Sequence, residues 1–359
     1  MEAIGLKAQT DVDPCLFISN KCICLVYVDD TLFFSPDPKY IKEAIEKLKG
    51  RGMELEPEDS VAGFLGVHIE RDEREGTIKL TQKGLIKRVI DALGTTKGIY
   101  TPTTTDALPI DAEGDPPDQA YNYASVVGML LYLSGHSRPD ICFAVSQVAR
   151  FIHGHKRSHE LAIERIGQYL YQTQEDGLIL RPNTQGFSMD CYVDSDFAGL
   201  WNVEDKSSPE SVRSRAGYVI CVCNCPIMWK SQLMVPLACS TMQAEYNALS
   251  MAMKDVIPLQ ELFQTVGASV GIGNDHLTQF KTTIHEDNQG ALNLANLEPG
   301  HTTPRSKHYG VRTHWFRSHL KPNRTEVVHI KSELQWADML TKGLTREKFQ
   351  EIRKLFCGW

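Results

Sequence analysis

The sequence predicts a multidomain chain of mixed α+β and α/β class, and three observations carry that expectation. The first hundred residues intersperse strand-like and helix-like patterns. Residues 101–118, TPTTTDALPIDAEGDPPD, then interrupt them with four prolines and five acids, too few large apolar side chains to fold alone. From Phe187 onward strands come first and helices follow. A length of 359 residues exceeds what a single core usually organises and suits two or three domains. The boundaries fall at 1–100, 101–185 and 186–359.

Taken in order, LVYVDDTLFFS at 25–35 reads as an apolar β-hairpin with Asp29 and Asp30 at its turn. Adjacent carboxylates beside Val26, Val28, Leu32 and Phe33 are costly unless a cation or hydrogen bonds compensate them. A divalent metal is one answer; plain turn chemistry is the other, since Asp favours turns. PDPKYIKEAIEKLKGRG then reads as a helix with Asp37 as cap, Pro38 in its first turn and Gly50 or Gly52 as its stop. FLGVHIE and TIKLTQ read as strands around Glu75–Gly76, and Gln82 to Leu93 as an amphipathic helix. The acidic, proline-rich stretch reads as a linker or a long exposed loop.

Three helical patterns follow: Tyr121 to His136, Pro139 to His153 and Ser158 to Gln174. Pro139 and Ser158 serve as initiators, and Val126, Met129, Leu130 and Leu133 share one face. In the last region FSMDCYVDS, RAGYVICVC and PIMWKSQ read as strands, and Trp229 suits packing on the third. A long helix from Thr241 to Thr265 is capped by Ser240. Then come a strand at KTTIHE, a helix from Asp287, a basic helix from Arg305, a strand at EVVHI and two closing helices. Three antiparallel strands followed by strand and helix alternation predict a mixed sheet with helices on its faces.

Composition narrows the function classes. Apolar residues make up 42% and charged residues 23%, ordinary values that exclude a fibrous or disordered chain. No apolar run is long enough to span a bilayer, and MEAIGLKAQTDVDP lacks a signal-peptide layout, so we expect an intracellular, soluble chain without a membrane partner. Cys22 with Cys24, and Cys221, Cys223 and Cys225, are spaced by one residue, which suits strand alternation and free thiols better than zinc ligation.

The net charge of −7 argues against a chain built wholly for nucleic acid, but the charge is uneven. Between His301 and Lys331 stand Arg305, Lys307, Arg312, Arg317, Lys321, Arg324 and Lys331 against the single acid Glu326. Tyr309, Trp315 and Phe316 interleave with them, which suits phosphate contact and base stacking; a solvated helix face is the plain alternative.

Four acids fall at element boundaries: Asp194 at a strand end, Glu245 early in the long helix, Asp287 after KTTIHE and Asp338 at a helix start. Convergence would make a set of hard oxygen ligands suited to Mg²⁺ or Mn²⁺, and two such ions about 3.5–4 Å apart can activate water and stabilise a phosphodiester's leaving oxygen. Acids at helix starts also offset the macrodipole, which is at least as good an explanation for Glu245 alone but explains little of all four together.

YVDD, FLGVHIE, YASVVGMLLYLSGHSRPDICFAVSQVARF, CYVDSDFAG, SRAGYVI, MWKSQ, LACSTMQAEYNALS, EDNQGALNLA, SKHYGVRTHWFR and QWADMLTKGL occur in the order seen in copia-type LTR retrotransposon polyproteins, which this chain resembles from about position 15 to 345. The resemblance implies the carboxy-terminal part of a reverse transcriptase palm, a helical thumb or connection, and a ribonuclease H-like domain built on a mixed five-stranded sheet. It implies that Asp29 and Asp30 are the acidic pair of the palm hairpin and that Asp194, Glu245, Asp287 and Asp338 are the metal-binding ribonuclease carboxylates. Arg305, Lys307, His308, Arg312 and Arg317 become candidates for nucleic-acid contact, with a buried helix histidine as the other reading of His308. Lys342 suits phosphate binding or a helix C-cap.

The implied activity is metal-dependent hydrolysis of the RNA strand of RNA:DNA hybrids, with primer-template nucleic acid and the upstream part of the polyprotein as partners. The implied location is the cytoplasm, in a virus-like particle, or the nucleus. Two departures from the family stand out. Only 28 residues precede Asp29, and none forms the strand that carries the further palm carboxylate, so DNA synthesis is not expected from this chain alone. The loop before the last catalytic helix reads KSELQWAD and holds no histidine, leaving Lys331, Ser332 or no residue at all to assist product release. A catalytically decayed or co-opted nucleic-acid-binding remnant is the alternative function.

Overall fold

In the computed structural model, residues 1–58, 61, 63–183, 187–201, 203, 209–269, 281–303, 306, 309, 311–322 and 324–359 are described. They form two compact units: Met1–Val61 with Asp255–Phe280, and Ala62–Lys254 with Lys281–Trp359.

The first unit holds a four-stranded antiparallel meander, β1 (Lys7–Gln9), β2 (Asp13–Ile18), β3 (Ile23–Tyr27) and β4 (Asp30–Phe34), in chain order. One face buries Leu6, Cys22 and Cys24 against Phe17, Val26, Phe33 and Ile41, so the spaced cysteines are strand alternation as expected. In the β3–β4 hairpin Tyr27 pairs with Asp30, leaving Val28 and Asp29 as the two loop residues. Val28 is 82% exposed and stands at φ 53, a left-handed conformation that β-branched residues rarely adopt. The helix Pro38–Lys49 starts as its sequence dictates, with the Asp37 carboxylate accepting the Lys39 amide at 3.0 Å.

In the second unit FLGVHIE is two strands and not one. Leu65 (φ 51) and Gly66 (φ 73) turn the chain between β5 (Gly63–Phe64) and β6 (Val67–Asp72), the backbone of a two-residue primed hairpin. β7 (Thr77–Thr81) follows around Gly76, and β8 (Leu178–Leu180) closes the sheet from the far side of the helical region, with Leu80 opposite Leu178.

Between β7 and β8 the helices Lys83–Leu93, Tyr123–His136, Cys142–Val148 and Arg157–Gln172 interlock through Ile86, Val89, Val126, Leu130, Leu133, Ile163 and Leu170. Pro139 opens a 3-10 turn ahead of the Cys142 helix, as its fixed φ favours. Ser158 does not cap its helix. The Lys156 amide donates to Nδ1 of His159 at 2.8 Å, and the Ser158 hydroxyl donates to Asp111 at 2.5 Å. The stretch expected to be a linker or exposed loop is in fact docked on this helix. The amides of Asp118 and Gln119 donate to the buried Glu160 carboxylate at 2.8 and 3.0 Å, so its polar backbone finds partners on the helix start.

The remaining sheet has five strands: β9 (Ser188–Asp196), β10 (Arg215–Val222), β11 (Cys225–Leu233), β12 (Lys281–Glu286) and β13 (Thr325–His329), ordered β11-β10-β9-β12-β13. β9, β10 and β11 are antiparallel, while β12 runs parallel to β9 and β13. This is the mixed five-stranded sheet the resemblance implies. β10 stops one residue earlier than its pattern suggests, because Cys223 (φ 49) and Asn224 (φ 68) form the turn into β11. Trp229 packs on edge strand β11, donating to the Ser134 carbonyl at 2.7 Å.

One glycine positions the functional end of this sheet. Gly217 on β10 lies opposite Asp194 of β9, and a Cβ there would stand 2.7 Å from Cγ2 of Thr341 and 2.8 Å from Cβ of Leu340. The missing side chain lets the helix Asp338–Thr341 lie directly over the strands beside Asp194.

Candidate metal centre

Strand alternation puts Asp194 two residues from the end of β9, where it is 3% exposed. Glu245 is reached by the long helix Thr241–Ser269, which Ser240 caps by accepting the Gln243 amide at 3.2 Å. Asp287 directly follows β12 and precedes Asn288, the cap of the helix Gln289–Ala295. The three acids meet: each offers a carboxylate oxygen, and these oxygens all lie within 4.8 Å of one another.

Asp338 joins from the helix over Gly217. Its Oδ1 lies 2.8 Å from the Lys342 ammonium, which also stands 3.9 Å from Oδ2 of Asp194. The Thr341 hydroxyl donates to the same Asp194 oxygen, and the Ser332 hydroxyl donates to Oδ2 of Asp287 at 2.7 Å. Side chains from Ser332 to Lys342 therefore aim two of the carboxylates and offset a third.

Electrostatics follow from crowding acids in a dry place. Burial, aided by Asp338 and Asp287 and opposed by Lys342 and Thr341, pushes the Asp194 carboxyl up to about 7. Burial, then Asp194, Glu286 and Asp287, push Glu245 up to about 11. Burial resists the Lys342 charge, but Asp194 and Asp338 outweigh it and hold its pKa above the ordinary lysine value.

Glu286 is a fifth carboxylate that the sequence reading passed over. It is fully buried, its Oε1 accepts the Asn288 amide at 3.0 Å, and its Oε2 has no hydrogen-bond partner. Burial drives its pKa well above the usual glutamate range. The signal was available: in KTTIHE the buried positions alternate through Thr282, Ile284 and Glu286, which puts the acid on the core face.

Hard oxygen donors in this number, with buried oxygens of Glu245 and Glu286 that find no hydrogen bond, fit a divalent cation. Carboxylates this close cannot all stay ionised in low dielectric without a counter-charge, and one lysine cannot neutralise the set.

The other sequence-derived candidates lie elsewhere. Asp29 and Asp30 are exposed on the β3–β4 hairpin of the first unit, and among the described residues they join no third metal-ligating side chain. Arg305, Lys307 and His308 fall outside the described residues, as does the side chain of Arg312 in the helix Val311–His314. Arg317 is 4% exposed, and its Nη1 donates to the carbonyls of Leu294 and His301 at 3.3 and 2.9 Å, so its guanidinium ties the chain together from inside.

The interleaved aromatics also face the protein and not a ligand. Phe316 and Tyr309 are buried beside Tyr246 of the long helix, and the Trp315 indole donates to Ser250 at 3.0 Å. A charge-and-aromatic run does not reveal which of its members turn inward.

No protein-family model matches the chain. It is 30% identical over 373 aligned positions to a retrovirus-related Pol polyprotein from the transposon TNT 1-94 of Nicotiana tabacum, covering 98% of this chain and 26% of that one. A corresponding polyprotein from the transposon RE1 of Arabidopsis thaliana is 29% identical, covering 91% of this chain and 21% of its own. A putative transposon Ty5-1 protein of Saccharomyces cerevisiae is 26% identical over 70% of this chain and 77% of its own length. The chain thus spans about a quarter or less of the polyproteins it matches best. Among solved structures, a ribonuclease H1 isolated from compost aligns with 46% of this chain and 96% of its own, at 18% identity and a TM-score of 0.29.

Proposed function

This chain belongs to the retrovirus-related Pol polyproteins of transposons, and from that membership we infer that it is a reverse transcriptase and ribonuclease H segment whose second unit hydrolyses the RNA strand of RNA:DNA hybrids. The observation that carries the reading is the meeting of Asp194, Glu245 and Asp287, with Asp338 joined through Lys342. Divalent cations, Mg²⁺ or Mn²⁺, would supply the charge that activates water and stabilises the leaving oxygen of a phosphodiester.

The protein's part is to hold and aim. Asp194, Glu245 and Asp287 provide the cation's oxygen ligands, Thr341 and Ser332 fix two of them by hydrogen bonds, and Glu286 adds buried negative charge behind them. Lys342 keeps Asp338 compensated. Arg305, Lys307, His308 and Arg312 contact the nucleic-acid backbone, while Arg317 ties the carbonyls of Leu294 and His301 together. Hybrid recognition draws on 2′-hydroxyls and minor-groove shape. Asp29 and Asp30 belong to a palm hairpin whose metal site needs a further carboxylate. The reading divides the chain into palm residues 1–100, connection 101–185 and ribonuclease 186–359, acting in the cytoplasm within a virus-like particle or in the nucleus.

An RNA:DNA hybrid labelled on its RNA strand tests this directly. Cleavage in Mg²⁺ or Mn²⁺, abolished by chelator and absent on single-stranded RNA, is expected; an intact RNA strand with either metal overturns it. Lys342 favours a second reading, a nucleic-acid-binding remnant, because an ammonium already offsets two of the acids. Hybrid binding without cleavage would favour that reading.

A further inference from the structure

Beside the metal centre lies a cavity of about 200 Å³, walled by Arg213, Arg215, Lys342, Asp196, Phe143 and Gln147 among others. Arg215 is its unusual member. Only 4% exposed, its guanidinium donates to the Ser146 hydroxyl at 2.7 Å, to Ser231 at 3.2 Å and to Oε1 of Gln147 at 3.1 Å, and it lies 5.3 Å from the Phe143 ring centroid. All these partners are neutral, and among the described residues no carboxylate forms an ion pair with it. A buried arginine is ordinarily paired with an anion, because removing its charge from water is otherwise uncompensated.

The other two cations of the wall have partners outside it: Arg213 stands 3.7 Å from a Glu210 oxygen and Lys342 2.8 Å from Oδ1 of Asp338, while among the described residues Asp196 is the acid that lines the cavity. Asp196 sits opposite Arg215 in the β9–β10 register, but its carboxylate packs toward Gly199 and makes no ion pair with the guanidinium among the described residues. Burial, then repulsion from Arg150, draws the Arg215 pKa down to about 10 against the opposing attraction of Asp196, the direction expected of a cation whose charge is incompletely compensated.

We propose that this cavity is a phosphate-binding site, and that its occupant is a backbone phosphate of the nucleic-acid strand lying along the metal centre. Arginine supplies planar paired donors that match phosphate oxygens, and the polar cage of Ser146, Ser231 and Gln147 holds the guanidinium in place before anything binds. Continuity with the centre comes from two shared parts. Asp194 and Asp196 are two residues apart on one face of β9, and Lys342 lines the cavity while its ammonium touches Asp338. A strand whose cleaved bond sits among the acids would carry a neighbouring phosphate past the basic wall. The anion site follows from Arg215 and its cavity alone; the backbone assignment rests on the hydrolase reading above.

Inorganic phosphate, titrated into the full chain in chelator with no nucleic acid present, tests the site by melting temperature and by calorimetry. Saturable binding is expected in the wild type, weakened about tenfold in Arg213→Ala and lost in Arg215→Gln. No saturable binding, or equal affinity in all three proteins, overturns the site. Should Arg215→Gln fail to fold, Arg213→Ala decides alone, since that side chain is partly exposed and its ion pair, to Glu210 at 3.7 Å, is a long one at the surface. A second arm follows a labelled RNA:DNA hybrid by anisotropy, again in chelator. If the strand supplies the phosphate, Arg213→Ala weakens hybrid binding about tenfold, lowers its salt dependence by about one charge, and inorganic phosphate competes with the hybrid. Loss of phosphate binding with hybrid affinity unchanged overturns the strand assignment in favour of a free phosphate, and hybrid cleavage is needed for neither arm.

Discussion

The ammonium of Lys342 lies 2.8 Å from Oδ1 of Asp338, four residues before it, so a carboxylate only 5% exposed carries its counter-charge on the same short turn. That contact makes Lys342 a built-in competitor of any metal bound by the neighbouring acids.

Lys342→Ala removes the competitor. Without metal, the crowded carboxylates lose their compensating charge and the variant is expected to melt below the wild type. With Mg²⁺ it is expected to bind the ion more tightly, by about threefold to tenfold, and to gain more melting temperature. An equal or smaller gain from Mg²⁺ would show that Lys342 holds the helix end and does not compete for the acids.

A second buried charge pair concerns stability alone. Arg138 and Asp140 are both wholly inaccessible, joined at 2.8 Å, and the Tyr169 hydroxyl donates to the same Asp140 oxygen at 2.6 Å. Arg138 is further tied to the carbonyl and hydroxyl of Thr173 at 3.1 and 2.7 Å. Asp140→Ala leaves that guanidinium buried without its partner and is expected to cost about 3–5 kcal/mol in urea unfolding, whereas replacing both residues by apolar ones of similar volume recovers most of the loss. A cost below about 1 kcal/mol would mean that water reaches the site.

The boundaries of β12, those of β10 and β11 to within a residue, the Asp37 and Ser240 caps and the placing of four acids at element ends were legible, because alternation and capping are local chemistry. What escaped was long-range. Nothing near Leu178 announces that it pairs with Leu80, nor that the acids and carbonyls of 101–118 have partners waiting on the Arg157 helix. Leu65 at φ 51 carries no turn signal, since leucine rarely adopts that conformation. Arg317 and Arg215 looked like any basic residues. Whether an arginine faces water or a cage of carbonyls and hydroxyls is decided by elements far away in sequence, as the hydrogen-bonded partners of Arg215 on the Cys142–Val148 helix and on β11 show.

His159 provides a prediction with pH. It is fully buried, its Nδ1 accepts the Lys156 amide at 2.8 Å, and its Nε2 donates to the Pro109 carbonyl at 2.8 Å, an arrangement that needs the neutral ring. Burial above all holds its pKa below the ordinary 6.5. The unfolded chain therefore takes up this proton first as pH falls, so the contribution is complete above about 6.5 and is lost as pH drops from there toward the folded value. His159→Gln should flatten the pH dependence of unfolding free energy as pH falls below about 6.5, whatever its effect at neutral pH. Parallel slopes for the two proteins would refute the neutral-ring assignment.

Asp287 separates a metal ligand from a scaffold acid. Its carboxylate meets those of Asp194 and Glu245, raises the pKa of both, and receives one hydrogen bond, from Ser332. If its purpose is to share a cation, Asp287→Asn removes repulsion and a ligand together while keeping an oxygen for Ser332. The variant is then expected to fold, to melt at or above the wild-type temperature in chelator, to gain less from Mg²⁺, and to lose nearly all hybrid cleavage. If Asp287 instead serves to order the start of the helix Gln289–Ala295, the substitution lowers metal-free stability and leaves the response to Mg²⁺ unchanged. Melting curves of both proteins with and without Mg²⁺ decide between these, because the two roles move the metal-free temperature and the metal response in opposite directions.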